Sequence, residues 1–220
     1  MCGRYTLTKP DELAKRFNLA KVPDNLRPNY NVAPTQTMPL ITLGKDGPQL
    51  EEMRWGIPRF IGSGKTRDVF NTRSDKAFGS WKKLVSTQRL LVPATGFYEW
   101  KQFEDGKHPF LIHPKQEELF SFAGIWGLWK NEDGKEIKTY SIITTEPNKE
   151  MSGIHNRMPV ILHQEDESTW LSSTSDNDRG AIEALLRPYE DNGLEIYEVS
   201  RDVNAARTNE EYLVYPLNSQ

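Results

Sequence analysis

Apolar residues along this chain fall mostly in short runs of strand length, separated by turn-forming residues, and helical spacing is confined to a few stretches. Met38 to Leu43 and Leu50 to Trp55 flank Gly44-Lys45-Asp46-Gly47, a pattern that predicts a β-hairpin. Further strands are predicted at 89–93, 97–100, 109–113, 119–126, 138–144 and 158–162, with turns marked by Glu104-Asp105-Gly106 and Glu132-Asp133-Gly134. Thr8-Lys9-Pro10-Asp11 reads as a helix start, with Thr8 as cap and Asp11 completing a capping-box-like pattern ahead of Leu13 and Phe17 at i, i+4. That helix ends before Pro23. A second helix is predicted from Ser74 through Ala77, Phe78, Trp81 and Leu84, and a third from about Asp178 through Ile182, Leu185 and Leu186. Many strands at hairpin spacing with few helices predict an α+β fold, a mostly antiparallel, barrel-like sheet with peripheral helices. No repeat, low-complexity tract or linker breaks the pattern, so one domain spanning 1–220 is expected.

Composition narrows the class. At 220 residues and 36% hydrophobic, the chain can bury one substantial core. No apolar stretch approaches a membrane span, and the first residues lack the basic-then-apolar layout of a signal peptide, so the expectation is a cytoplasmic monomer without a membrane partner. A single cysteine excludes an internal disulfide framework and fits a reducing compartment. His108, His113, His155 and His163 form no paired ligand spacing, which points away from a metal, and nothing calls for another cofactor. The net charge of −3 conceals a division: residues 1–110 carry 18 Lys and Arg against 11 Asp and Glu, whereas 111–220 carry ten against 20. Most of the excess lies between Arg54 and Arg89, a candidate anion-binding surface, although a solvated basic face has the same signature.

The only cysteine follows the initiator methionine directly, in Met1-Cys2-Gly3-Arg4-Tyr5. With Met1 removed, Cys2 presents an α-amine and a thiol on adjacent atoms, a pair that captures an aldehyde as an imine and then closes a five-membered ring. The reference pKa values, about 7.7–8.0 for the amine and about 8.5 for the thiol, leave both groups a reactive fraction near neutral pH. An inert cysteine at a frayed terminus is the alternative.

Gly62-Ser63-Gly64-Lys65-Thr66 invites a nucleotide-loop reading, but Arg59 stands where that motif needs glycine and no helix start follows, so a basic loop is expected. In Asn71-Thr72-Arg73-Ser74-Asp75, Ser74 as a helix cap would set Asn71 and Arg73 at a helix N-terminus suited to phosphate; simple capping explains the same residues. In Gly96-Phe97-Tyr98-Glu99-Trp100, alternation puts Phe97 and Glu99 on one face and Tyr98 and Trp100 on the other. Burial of Glu99 would raise its pKa and suit it to proton transfer, whereas a solvated Glu99 would have no such role. Ile154-His155-Asn156-Arg157-Met158-Pro159 sits between predicted strands, where a histidine beside an arginine suits a site handling an anion and a proton, or is simply structural.

These motifs, with Tyr30-Asn31-Val32-Ala33-Pro34 and Arg54-Trp55-Gly56, strongly resemble the SOS response-associated peptidase family, in the family's order and over nearly the whole chain. The resemblance implies an abasic-site processing protein. Cys2, freed of Met1, would form a covalent thiazolidine link to the ring-opened sugar of an abasic site in single-stranded DNA, shielding the lesion during the DNA damage response. It further implies that Asn71 orients the terminal residue and sugar, that Glu99 accepts and donates protons, and that His155 assists ring opening and reversal. Arg4, Arg73 and Arg157 match phosphate-holding positions, Pro34 and Trp55 an apolar surface for bases, and Thr144 a position lining the site. Strand cleavage by β-elimination is a side reaction of such an imine, and the peptidase name reflects a proposed self-release of Met1. Family members often continue from Trp-Gly through a second tryptophan and a longer loop, whereas here Trp55-Gly56-Ile57-Pro58-Arg59-Phe60 runs straight into the Gly-Ser-Gly-Lys segment; Asn-Thr-Arg replaces the usual Asn-Ala-Arg. Two other readings compete: a cysteine peptidase or amidase using Cys2 and His155, and a non-catalytic single-strand DNA binder using the basic segment and Trp55.

Overall fold

The computed structural model describes residues 2–63, 65–130, 133–172 and 178–217. In chain order the strands are β1 (Arg4–Leu7), β2 (Asn29–Val32), β3 (Thr37–Gly44), β4 (Gly47–Trp55), β5 (Ile57–Gly62), β6 (Lys65–Val69), β7 (Asn71–Arg73), β8 (Arg89–Ala94), β9 (Gly96–Phe103), β10 (Gly106–Pro114), β11 (Phe120–Lys130), β12 (Glu136–Thr145), β13 (Met158–Pro159), β14 (Ile161–Leu162) and β15 (Leu194–Glu198). The helices are α1 (Leu13–Arg16), α2 (Ser74–Ala77), α3 (Lys82–Thr87), α4 (Lys149–Ser152), α5 (Gln164–Ser172) and α6 (Arg179–Leu185).

The pairings β12–β4, β4–β3, β3–β8, β8–β11 and β11–β12 return to their starting strand, so five strands close a barrel. Closure leaves those strands with no open edge between them. All of these pairings are antiparallel except β12–β4. β7 adds to β12 in parallel, with Asn71 opposite Ile142 and Arg73 opposite Thr144. A second, antiparallel sheet runs β15-β10-β9-β1-β2. The α+β, barrel-like architecture expected from the hydrophobic pattern is therefore the one observed.

Aromatic side chains from both sheets fill the centre. The Trp55 and Tyr140 rings stack at 6.1 Å, Tyr5 meets Trp55 edge-on at 5.3 Å, and Phe122 meets Phe97 and Phe120 edge-on. Such pairs contribute roughly 0.5–1.5 kcal/mol each beyond area burial. Along β9 the period of two holds: Phe97 enters this core, and Tyr98 enters a smaller cluster with Leu111, Val199, Val203 and Leu213.

The 38–55 hairpin and the strands from 89 to 144 form where the pattern placed them. The 158–162 run divides at Val160, whose N–H donates to Ile143 and whose carbonyl accepts from Ala123, so one residue crosses between two strands. The first helix shrinks to a 3-10 turn, Pro10–Glu12, and α1; Asn18 enters the left-handed region at φ 51° just beyond. Thr8 does not cap it, because its hydroxyl donates to Thr95 Oγ1 and the cap position falls to Lys9. The second helix breaks into α2 and α3, and the third appears as α6 with Asp178 at its cap position. Sequence reading missed α5, whose inward face consists of Trp170 and Glu167 on an otherwise polar helix. It also missed the β5–β6 hairpin where a basic loop was expected. β6 follows the glycine-rich turn directly and no helix does, which leaves the nucleotide-loop motif without its phosphate-facing N-terminus. Gly64 and Glu132, parts of two predicted turns, lie outside the described residues.

Candidate active site at the amino terminus

Cys2 precedes β1 and is fully buried, its thiol directed to the carbonyl of Arg4 at 3.6 Å. Its own carbonyl accepts from Asn71 Nδ2 at 2.8 Å, which ties the chain start to the first residue of β7. Among the described residues, Asn71 Oδ1 is buried with no hydrogen-bond partner. A buried acceptor of this kind is costly unless something fills it, and it suits a ligand hydroxyl or amine.

Glu99, on the face of β9 that also carries Phe97, is 3% exposed. Burial pushes its carboxyl above the usual carboxylate range, opposed by the amino-terminal positive charge and by His155. The Cys2 thiol is likewise pushed up, first by burial and then by Glu99, so it stays protonated at neutral pH. His155 follows α4, whose start is capped by the Asn148 side chain accepting from Met151 N–H. Its backbone N–H donates to the Met151 carbonyl, and its ring Nδ1 accepts from the Arg157 backbone N–H at 3.1 Å. Glu99 and His155 line one cavity of about 490 Å³ with Trp100, Lys107 and Asn204. A second cavity, about 500 Å³, also reaches Asn71 and is lined by Arg59, Phe60, Arg67 and Phe70 among others. The four residues singled out for catalysis, Cys2, Asn71, Glu99 and His155, are thus neighbours through hydrogen bonds, charge coupling or a shared cavity.

The cationic residues divide into groups. Arg4 Nη1 donates to the Val203 carbonyl at 2.6 Å and to Asn31 Oδ1 at 3.0 Å. Arg157 donates to the carbonyl and to the hydroxyl of Thr144, and it repels Arg73, which places two guanidiniums side by side at the β7–β12 edge. Arg73 grips Asp75 with two 2.8 Å bonds. Arg89, by contrast, is buried and donates to the Trp170 and Val85 carbonyls, and Arg54 pairs with Asp68 at 2.7 Å. Arg54 and Arg89 therefore serve the fold and drop out of the candidate anion-binding surface.

Three further expectations need correction. Trp55 is 0% exposed, stacked on Tyr140 with its indole N–H on the Phe70 carbonyl, so it is a core residue and offers no surface to a base. Thr144 is buried as well and reaches the site only by holding Arg157. Ser74 is not the cap of the second helix: Arg73 occupies that position and the helix has four residues, too short for a phosphate site of the kind anticipated. Pro34 is part-exposed in the turn after β2. The exposed apolar residues of the Trp55 region are Phe60 (64%) and Ile61 (60%), on the β5–β6 hairpin. Trp100, Lys107 and Asn204 were missed. Alternation sets Trp100 on the face of β9 opposite Glu99 and so does not bring the two together, and no local signal marks Asn204, which arrives from the C-terminal segment.

A buried cysteine at position 2, a buried carboxyl and a histidine thus gather on a mixed-sheet barrel. Residues 1–206 match the family model described as SOS response associated peptidase (SRAP), and the chain belongs to that family. Among its relatives, Abasic site processing protein YoqW of Bacillus subtilis is 38% identical over 226 residues, covering 97% of this chain and 99% of the relative. Abasic site processing protein HMCES of Gallus gallus is 32% identical over 227 residues, covering 87% of this chain and 67% of the relative. A crystal structure of a Bacteroides thetaiotaomicron protein superposes with a TM-score of 0.83 at 27% identity, covering 98% and 99% of the two chains. Among the described residues, no helix is long and apolar enough to cross a membrane, and no group of His, Cys, Asp and Glu is arranged to hold a metal ion.

Proposed function

We propose that this protein recognises abasic sites in single-stranded DNA and joins them covalently through Cys2, once Met1 has been released, in keeping with the relatives named abasic site processing proteins. The observation that carries this reading is the position of Cys2: its carbonyl is held by Asn71, and its thiol is coupled to Glu99, which shares a cavity with His155. The α-amine attacks the aldehyde carbon of the ring-opened sugar and loses one water to give an imine. The thiol then adds across the C=N bond, sulfur to carbon and proton to nitrogen, closing the thiazolidine. The thiol must give up its proton as sulfur adds, and Glu99 is placed to accept and relay that proton. Arg73 and Arg157 supply charge for the flanking phosphates.

The test is intact-mass analysis after mixing the protein with an abasic single-stranded oligonucleotide. The expected product has the mass of Met1-free protein plus DNA less one water, and Cys2→Ala gives none. An equal yield from Cys2→Ala would overturn the reading.

A further inference from the structure

We infer that Trp100 and Lys107, backed by Asn204, form an additional DNA subsite that receives the nucleotide next to the lesion, a proposal that rests on the abasic-site reading. The cavity that holds Glu99 and His155 does not end at those residues but continues to Trp100, Lys107 and Asn204. At about 490 Å³ it lies within the roughly 300–1,000 Å³ typical of pockets that enclose a whole small ligand, more than a single sugar requires. In β9 and β10, Trp100 stands opposite Pro109 and Lys107 opposite Gln102, so Trp100 and Lys107 share one face of the sheet. Arg4, opposite Tyr98, shares that face.

The ledge is rigid. Trp100 Nε1 donates to Asn204 Oδ1 at 2.7 Å, and Asn204 is the last residue of a 3-10 turn, Arg201–Asn204, whose Val203 carbonyl takes Arg4 Nη1 and Asn31 Nδ2. A ring held in place loses little freedom when a base or sugar packs on it, and Lys107 is exposed beside it with no ion pair among the described residues. Arg73 and Arg157 converge at β7 and β12, on the barrel, whereas Trp100 and Lys107 belong to the other sheet. A strand bound at Cys2 would therefore meet one phosphate site on each sheet, one on either side of the abasic sugar.

The experiment measures binding of a fluorescent mixed-sequence oligonucleotide carrying a tetrahydrofuran abasic analogue, which has no aldehyde and binds reversibly. Lys107→Ala is expected to reduce the log–log salt slope by about 0.7, one single-strand phosphate contact. Lys15→Ala, on α1 outside the cavity, serves as the charge control. Trp100→Ala is expected to lose roughly five- to 150-fold in affinity, and Trp100→Phe, which keeps a ring, to recover most of it. The Lys107 effect should appear with strands extended on one side of the lesion and vanish with strands extended only on the other. A wild-type salt slope in Lys107→Ala, or an equal effect on both strand types, would overturn the subsite. Absence of a crosslink between wild-type protein and a true abasic strand would overturn the functional reading itself, so the two failures are distinguishable.

Discussion

Trp55→Phe separates a core tryptophan from a base-stacking one. In the structure the indole is fully enclosed: stacked on Tyr140, edge-on to Tyr5 and Phe70, and donating to the Phe70 carbonyl at 2.9 Å. Phenylalanine keeps one ring against Tyr140 but removes that hydrogen bond, worth about 1 kcal/mol. It also removes two further buried carbons, at about 0.8 kcal/mol each. The Phe70 carbonyl is not orphaned, because it also accepts from Ile142 N–H. The expected loss is therefore about 2.5 kcal/mol, which in a domain of this size lowers Tm by roughly 5–10 °C. Stacking on a base predicts something different, a loss of roughly five- to 150-fold in single-strand affinity from about 1–3 kcal/mol per base. The assay pairs a calorimetric melt with reversible binding of the tetrahydrofuran oligonucleotide well below the variant's Tm. A lowered Tm with near-wild-type affinity is expected; an unchanged Tm with affinity reduced tenfold or more would refute the assignment of Trp55 to the core.

Three more outcomes are expected. An uncleavable residue ahead of Cys2 turns the amine into an amide, so the blocked protein should bind abasic single-stranded DNA yet give no heat-stable adduct on a denaturing gel. Burial raises the Glu99 pKa, so the folded state holds its proton more tightly than the unfolded chain, and stability should fall as pH rises from about 4.3 through the folded pKa; urea midpoints at several pH values should show Glu99→Gln gaining on wild type across that window, and parallel curves would argue against a buried carboxyl. Because the Asp75 carboxylate occupies the Arg73 fork, Asp75→Ala should tighten DNA binding, while Arg73→Ala should weaken it and reduce the salt slope by about 0.7 in fluorescence titrations.

What the chain order alone determined was local. The period of two in Phe97-Tyr98-Glu99-Trp100 assigned each side chain to a face, because a strand's geometry depends only on its own backbone, and the assigned faces are those observed. The Gly44–Gly47 turn likewise set the β3–β4 register without outside help. Cys2, Asn71, Glu99 and His155 stood out as candidates by residue type and position, and the family resemblance joined them into one proposed site. Their convergence could not: the Asn71–Cys2 bond spans 69 residues and exists because β7 adds to β12 beside the closed barrel. Barrel closure buried Trp55, β7 and β13 flank Thr144 at the end of β12, and the fold turned Arg89 inward. An apolar or basic side chain announces a preference for burial or for charge, but burial is non-directional, and whether an indole meets a base or Tyr140 is settled only when distant strands pack. Asn204 is the extreme case, a residue with no signal of its own that becomes a wall of the site because Arg4, Asn31 and Trp100 hold its segment there.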